Sequence, residues 1–165
     1  MPALRRLRIP TLPAVLALVA LLGPAACHND DVSGSGGALA RLEMDMPDRV
    51  HSGVPFDAGA AAAAIGVEGV HDGVVTIALP APLSITDVAA SPGTSATFSN
   101  GGVGATVTWD LHTLDSNTRS TLTIYATAML PAGAAEQVLT AQASMVADGI
   151  GFGDLVANDS FVLAP

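Results

Sequence analysis

Half of this 165-residue chain is hydrophobic, much of that half is alanine, and only six side chains are aromatic, so it holds material for one domain with a thin core. All fifteen acidic residues lie beyond Cys27, opposed there only by Arg41, Arg49 and Arg119, which leaves that part with a formal charge of −12, histidines taken as neutral. With no lysine the chain has no means of neutralising a run of phosphates, which excludes nucleic acid as a partner; a single cysteine likewise excludes an internal disulfide and a cysteine-based zinc site.

The first 26 residues have the order of a secretory signal. Arg5, Arg6 and Arg8 precede an apolar run from Leu12 to Leu22, which is too short to span a bilayer at about 20 residues per crossing. Pro24-Ala25-Ala26-Cys27 follows. The small residues before the cysteine are similar to the lipobox of bacterial lipoproteins, and that resemblance implies lipid attachment at Cys27, which becomes the new N-terminus. The alternative is ordinary signal-peptidase cleavage near Ala26 with a free thiol. Residues 27–38, containing His-Asn-Asp-Asp-Val-Ser-Gly-Ser-Gly-Gly, are polar and rich in glycine and serine, the composition of a flexible tether.

From residue 39 to 165 the chain reads as strands. Ala40, Leu42, Met44 and Met46 alternate with charged residues until Pro47-Asp48 turns the chain, the period-two pattern of a half-buried strand. Residues 56–67 contain five consecutive alanines, but the glycines around them leave too little length for a stable helix, so this segment is also read as a strand. Val74, Val75, Ile77 and Leu79 run into Pro80-Ala81-Pro82, and Leu83, Ile85 and Val88 follow. Thr94–Phe98, the turn at Asn100-Gly101-Gly102, and the alternation of Ala105, Val107, Trp109 and Leu111 form a predicted hairpin. Asp115-Ser116-Asn117 makes the next turn, where Asn117 can take the left-handed conformation. Leu122, Ile124, Ala126 and Ala128 then alternate, Pro131-Ala132-Gly133 turns again, and strands over Val138–Val146 and Ser160–Leu163 complete the chain. The expected fold is all-β, a single antiparallel sandwich of seven to nine short strands, with Trp109 as its largest core group.

From about Leu79 to Leu163 the sequence resembles the bacterial surface repeat known as domain of unknown function 11. The features that carry the resemblance are Leu79-Pro80-Ala81-Pro82-Leu83, the strand from Val107 to Leu114, Leu122-Thr123-Ile124 and the ending Asn158-Asp159-Ser160-Phe161-Val162. The resemblance implies an immunoglobulin-like sandwich acting as an adhesive, stalk or scaffolding module outside the cytoplasm.

Nothing in the sequence assembles a catalytic constellation. His28, His51, His71 and His112 lack metal-ligand spacing and are expected to be exposed. Ser84, Ser91, Ser95, Ser116, Ser120 and Ser144 lack a nucleophile elbow and an evident base. The segment Asp148-Gly149-Ile150-Gly151-Phe152-Gly153-Asp154, with Asp159 beyond it, is the candidate calcium loop, since glycine-rich backbone can turn carbonyls toward an ion beside carboxylates; its sequence lacks the alternating acids and closing glutamate of an EF-hand, and a plain inter-strand loop is the competing reading.

The expected function is therefore non-catalytic, with no cofactor and no metal. The chain is read as a structural or interaction module of the bacterial cell envelope, held at a membrane through lipidated Cys27 or otherwise secreted or periplasmic, with an envelope protein or polysaccharide as its partner. The alternative is an extracytoplasmic ligand-binding domain whose loops around Gly101, Asn117 and Phe152 hold a carbohydrate, a peptide or calcium. A concave patch of clustered aromatic or acidic side chains separates a binding module from a plain spacer.

Overall fold

The computed structural model describes residues 31–33, 39–148 and 155–165. Eleven strands run in chain order: β1 Asp31–Ser33, β2 Ala40–Asp45, β3 Arg49–His51, β4 Phe56–Ala64, β5 Val70–Pro80, β6 Leu83–Ala90, β7 Ser95–Gly101, β8 Gly104–Leu114, β9 Arg119–Ala128, β10 Gln137–Asp148 and β11 Leu155–Ala164. They form two sheets, one ordered β1-β2-β4-β9-β6 and the other β3-β11-β10-β5-β8-β7.

The period-two alternation places the inner faces as expected. Ala40, Leu42 and Met44 on β2, Leu122 and Ile124 on β9, Val107, Trp109 and Leu111 on β8, and Met145 on β10 are all buried in one cluster. The alanine run is a strand after all, flanked by β2 and β9, with Ala58, Ala60, Ala62 and Ala64 turned inward. With a strand on each side, successive residues of the run find ladder partners alternately in β2 and β9, and that pairing overrides the weak helical preference of alanine. The predicted hairpin is β7–β8, and its two-residue turn is Gly102-Val103. Asn117 takes a φ of 59°, the left-handed conformation its turn requires.

Three expectations need correction. Among the described residues the strands number eleven rather than seven to nine. Pairing is not antiparallel throughout, because β3 runs parallel to β11. The chain leaves the first sheet at Met46-Pro47-Asp48 and joins the edge of the second, where the Val162 amide donates to Asp48 O (2.9 Å). Thirdly, part of the segment read as a tether forms β1, with Asp31 opposite Leu42 and Ser33 opposite Ala40. β5 is bulged between His71 and Val74, so the inward face passes from Val70 to Gly73, Val75, Ile77 and Leu79, and Val74 faces outward beside Val146.

With β2 drawn running downward, the connections 52–55, 81–82, 102–103 and 129–136 lie at the bottom of the sandwich. The connections 65–69, 91–94 and 115–118 lie at the top. The edge where the two sheets meet at β6 and β7 is closed by one side chain. Asn100 accepts a hydrogen bond from the Ile85 amide (2.8 Å) and donates to the Ile85 carbonyl (2.9 Å), standing in for a strand partner where the β6 ladder is interrupted at Thr86.

Candidate functional site

A concave feature of the described residues lies on the outer face of the five-stranded sheet. Beyond Asp57 the outward residues of β4 are small, Gly59, Ala61 and Ala63 in succession, whereas both neighbouring strands turn long or branched side chains outward. The register sets these in rows across the sheet. Arg41, Ala63 and Arg119 form one row, Glu43, Ala61 and Thr121 the next, and Asp45, Gly59 and Thr123 the third. The result is a trough of about 380 Å³ floored by Gly59 and Ala61 and walled by Glu43, Asp45, Arg119, Thr121 and Thr123. Ala61 is only 5% exposed although it faces away from the core, because the side chains on either side of it stand taller.

Charge is organised across this trough. Arg119 reaches from β9 over β4 to Glu43 (Nη2 to Oε2, 2.6 Å), and Arg41 meets the other oxygen of the same carboxylate (Nε to Oε1, 3.1 Å). Two of the three cations beyond Cys27 thus converge on one acid. The third, Arg49, pairs with Glu136 at the bottom of the molecule. Asp45, one row down, leaves the lower half of the trough acidic. The wall of β9 is held in place from behind, since the Thr121 amide donates to Ser91 Oγ (3.2 Å) and the Ser91 amide donates to Thr121 O (2.9 Å). Such a trough can seat a narrow polar group, with hydroxyls on one side and carboxylates on the other.

The residues singled out from the sequence fall elsewhere. Cys27 and Asp154 lie outside the described residues, as do His28 and Phe152. Asp148 is exposed at the top end of β10, opposite His71. Asp159 pairs with Ala141 on β10, seven residues from Asp148, roughly 23 Å at the rise of an extended strand. One ion cannot take ligands from both. Asp159 is 7% exposed and its carboxylate is already engaged, Oδ2 accepting from the Met46 amide (2.7 Å) and Oδ1 from the Ser160 amide (2.9 Å). It fixes the chain where β2 leaves its sheet. No group of three or more metal-ligating side chains is found among the described residues.

His51, His71 and His112 are exposed, as their sequence positions suggested. His112 touches Asp110 (Nδ1 to Oδ1, 3.1 Å) on the open face of β8. Ser116 donates to Gly66 O (2.6 Å) and tethers two top loops, a structural duty. The trough itself was not visible in the sequence. Its one signal is the spacing of Gly59, Ala61 and Ala63 at every second position, and that becomes a groove only when the flanking strands and their register are known.

No protein-family model matches the sequence, and no curated protein is similar to it. Solved structures do resemble the fold. A CARDB domain from Pyrococcus furiosus, crystallised in complex with di-metal ions, is 14% identical with a TM-score of 0.50, over 82% of this chain and 94% of that one. A cohesin module from a family 33 glycoside hydrolase of Clostridium perfringens is 11% identical with a TM-score of 0.52, over 81% of this chain and 98% of that one. The major pilin subunit of Bacillus cereus is 13% identical with a TM-score of 0.53, over 76% of this chain and 40% of that one. At such identities the likeness is one of architecture, and it makes this chain an all-β, immunoglobulin-like sandwich.

Proposed function

We propose that this chain is a non-catalytic interaction module of the bacterial envelope, displayed from a membrane by a lipid on Cys27, and that it meets its partner through the outer face of β2, β4 and β9. The observation that carries the reading is the trough. A plain spacer has no use for three successive outward positions of glycine and alanine between walls of paired charge, whereas a binding surface does. The lining is aliphatic, hydroxyl-bearing and charged, which suits a protein segment better than a sugar ring seeking an aromatic platform. An envelope protein is therefore the favoured partner, and an envelope polysaccharide the second. The architecture is shared with a cohesin module and a pilin subunit, and the resemblance to the surface repeat known as domain of unknown function 11 points the same way. The acidic, lysine-free composition supports a place outside the cytoplasm free of nucleic acid.

The test is capture from the native envelope with the parent and with Ala61→Gln, whose longer side chain fills the trough from its floor. A partner held by the parent and lost from the variant, at unchanged melting temperature, supports the reading. Equal recovery by both proteins places the contact on another face.

A further inference from the structure

The bottom of the sandwich combines two features that do not depend on each other. The first is where the chain comes from. β1 runs antiparallel to β2, so the chain enters β1 from below, and only four residue steps separate Asp31 from Cys27. Four steps span at most about 14 Å, roughly the rise from Leu42 to Met46, one residue past the end of β2. A lipid at Cys27 therefore leaves no room for the domain to stand clear of the bilayer.

The second feature is the chemistry of the bottom connections. Residues 52–55, 81–82, 102–103 and 129–135 contain no charged side chain. They carry exposed apolar tips instead: Val103 is 94% exposed, Met129 67% and Val54 53%. The other charges at this end are Asp45 at the end of β2, Asp57 at the start of β4, Asp48 at the crossover into β3, and Glu136, which is paired with Arg49. The top loops, by contrast, carry charge themselves, Glu68 in 65–69 and Asp115 in 115–118, beside an exposed Val67. Bilayer surfaces are commonly anionic, and repulsion is felt within about 10 Å at ordinary salt, so a domain of charge −12 meets one most easily by loop tips that carry no charge.

We propose that the anchored sandwich rests bottom-down on the membrane, with Val54, Val103 and Met129 in the headgroup layer and the trough wall standing upright above it. This rests on the anchoring reading given above. Depth measurement in vesicles tests it. Val103→Cys and Val67→Cys each add one free thiol to a protein whose Cys27 is acylated, and both sites are open enough to leave the fold alone, Val67 being 86% exposed at the top. Each full-length lipidated variant is labelled with an environment-sensitive fluorophore and placed in phosphatidylcholine vesicles containing a shallow spin-labelled lipid. The label at 103 should be quenched severalfold more than the label at 67, and the order should reverse with iodide in the water. Equal quenching, or deeper quenching at 67, in protein that stays on the vesicles overturns the orientation alone. A parent that fractionates as soluble, with an unmodified Cys27 thiol, overturns the anchor and the orientation with it.

Discussion

Trp109 is fully buried, and its indole Nε1 donates to Thr94 Oγ1 (3.0 Å), whose own hydroxyl donates to Ser91 O (2.8 Å). Trp109→Ala should therefore lower the unfolding free energy by about 3–5 kcal/mol in a urea titration, a large share of what a small domain has. Its role was legible, because Val107, Trp109 and Leu111 share a period-two face. Asn100 was legible only as a turn residue. Its amide instead supplies Ile85 with both a donor and an acceptor, and Asn100→Asp keeps the shape but loses the donor and sets a carboxylate against a carbonyl. A loss of about 1–2 kcal/mol is expected in the same titration. Asp159 stands in the candidate calcium loop of the sequence, beside the competing reading of a plain inter-strand loop. The partner its carboxylate takes, the Met46 amide, is 113 residues away in sequence, which no local pattern shows.

At the level of elements, the strands with clean alternation were readable one by one, and what lay between strands was not. β4 shows both sides of this. Its strand character follows from excluding a helix, but the trough on its outer face depends on β2 and β9 pairing with it in one particular register. The ion pairs over the trough are exposed enough that stability should barely depend on them, since the Arg119 side chain is 58% open to water. Arg119→Ala is expected to shift stability by less than about 1 kcal/mol while reducing partner capture. The β7–β8 hairpin offers a sharper contrast between two nearby glycines. Gly104 sits at a φ of +132°, and a Cβ there would lie 2.2 Å from Leu79 O, whereas one on Gly102 would meet nothing within 4 Å. Thermal melts should show Gly104→Ala destabilised by more than about 1 kcal/mol and Gly102→Ala close to the parent.

For the whole molecule, the two-sheet all-β architecture was within reach of the sequence, and the number of strands was not. Short pieces such as β1 and β3 carry no pattern of their own and exist because a neighbouring strand offers an open edge. β3 in particular lets the chain change sheets within a few residues, so that one strand edge is covered in each. In the proposed reading, the trough, the uncharged tips of the bottom loops and the direction from which the chain enters β1 go together with a domain fixed at Cys27. Cys27→Ser should release the protein from membranes into the soluble fraction while leaving its melting temperature unchanged. The intact mass of the mature protein purified from the membrane fraction examines the anchor itself. It should correspond to a chain beginning at Cys27 and carrying acyl groups. A mass matching an unmodified chain cleaved near Ala26, with its thiol free, would contradict the account.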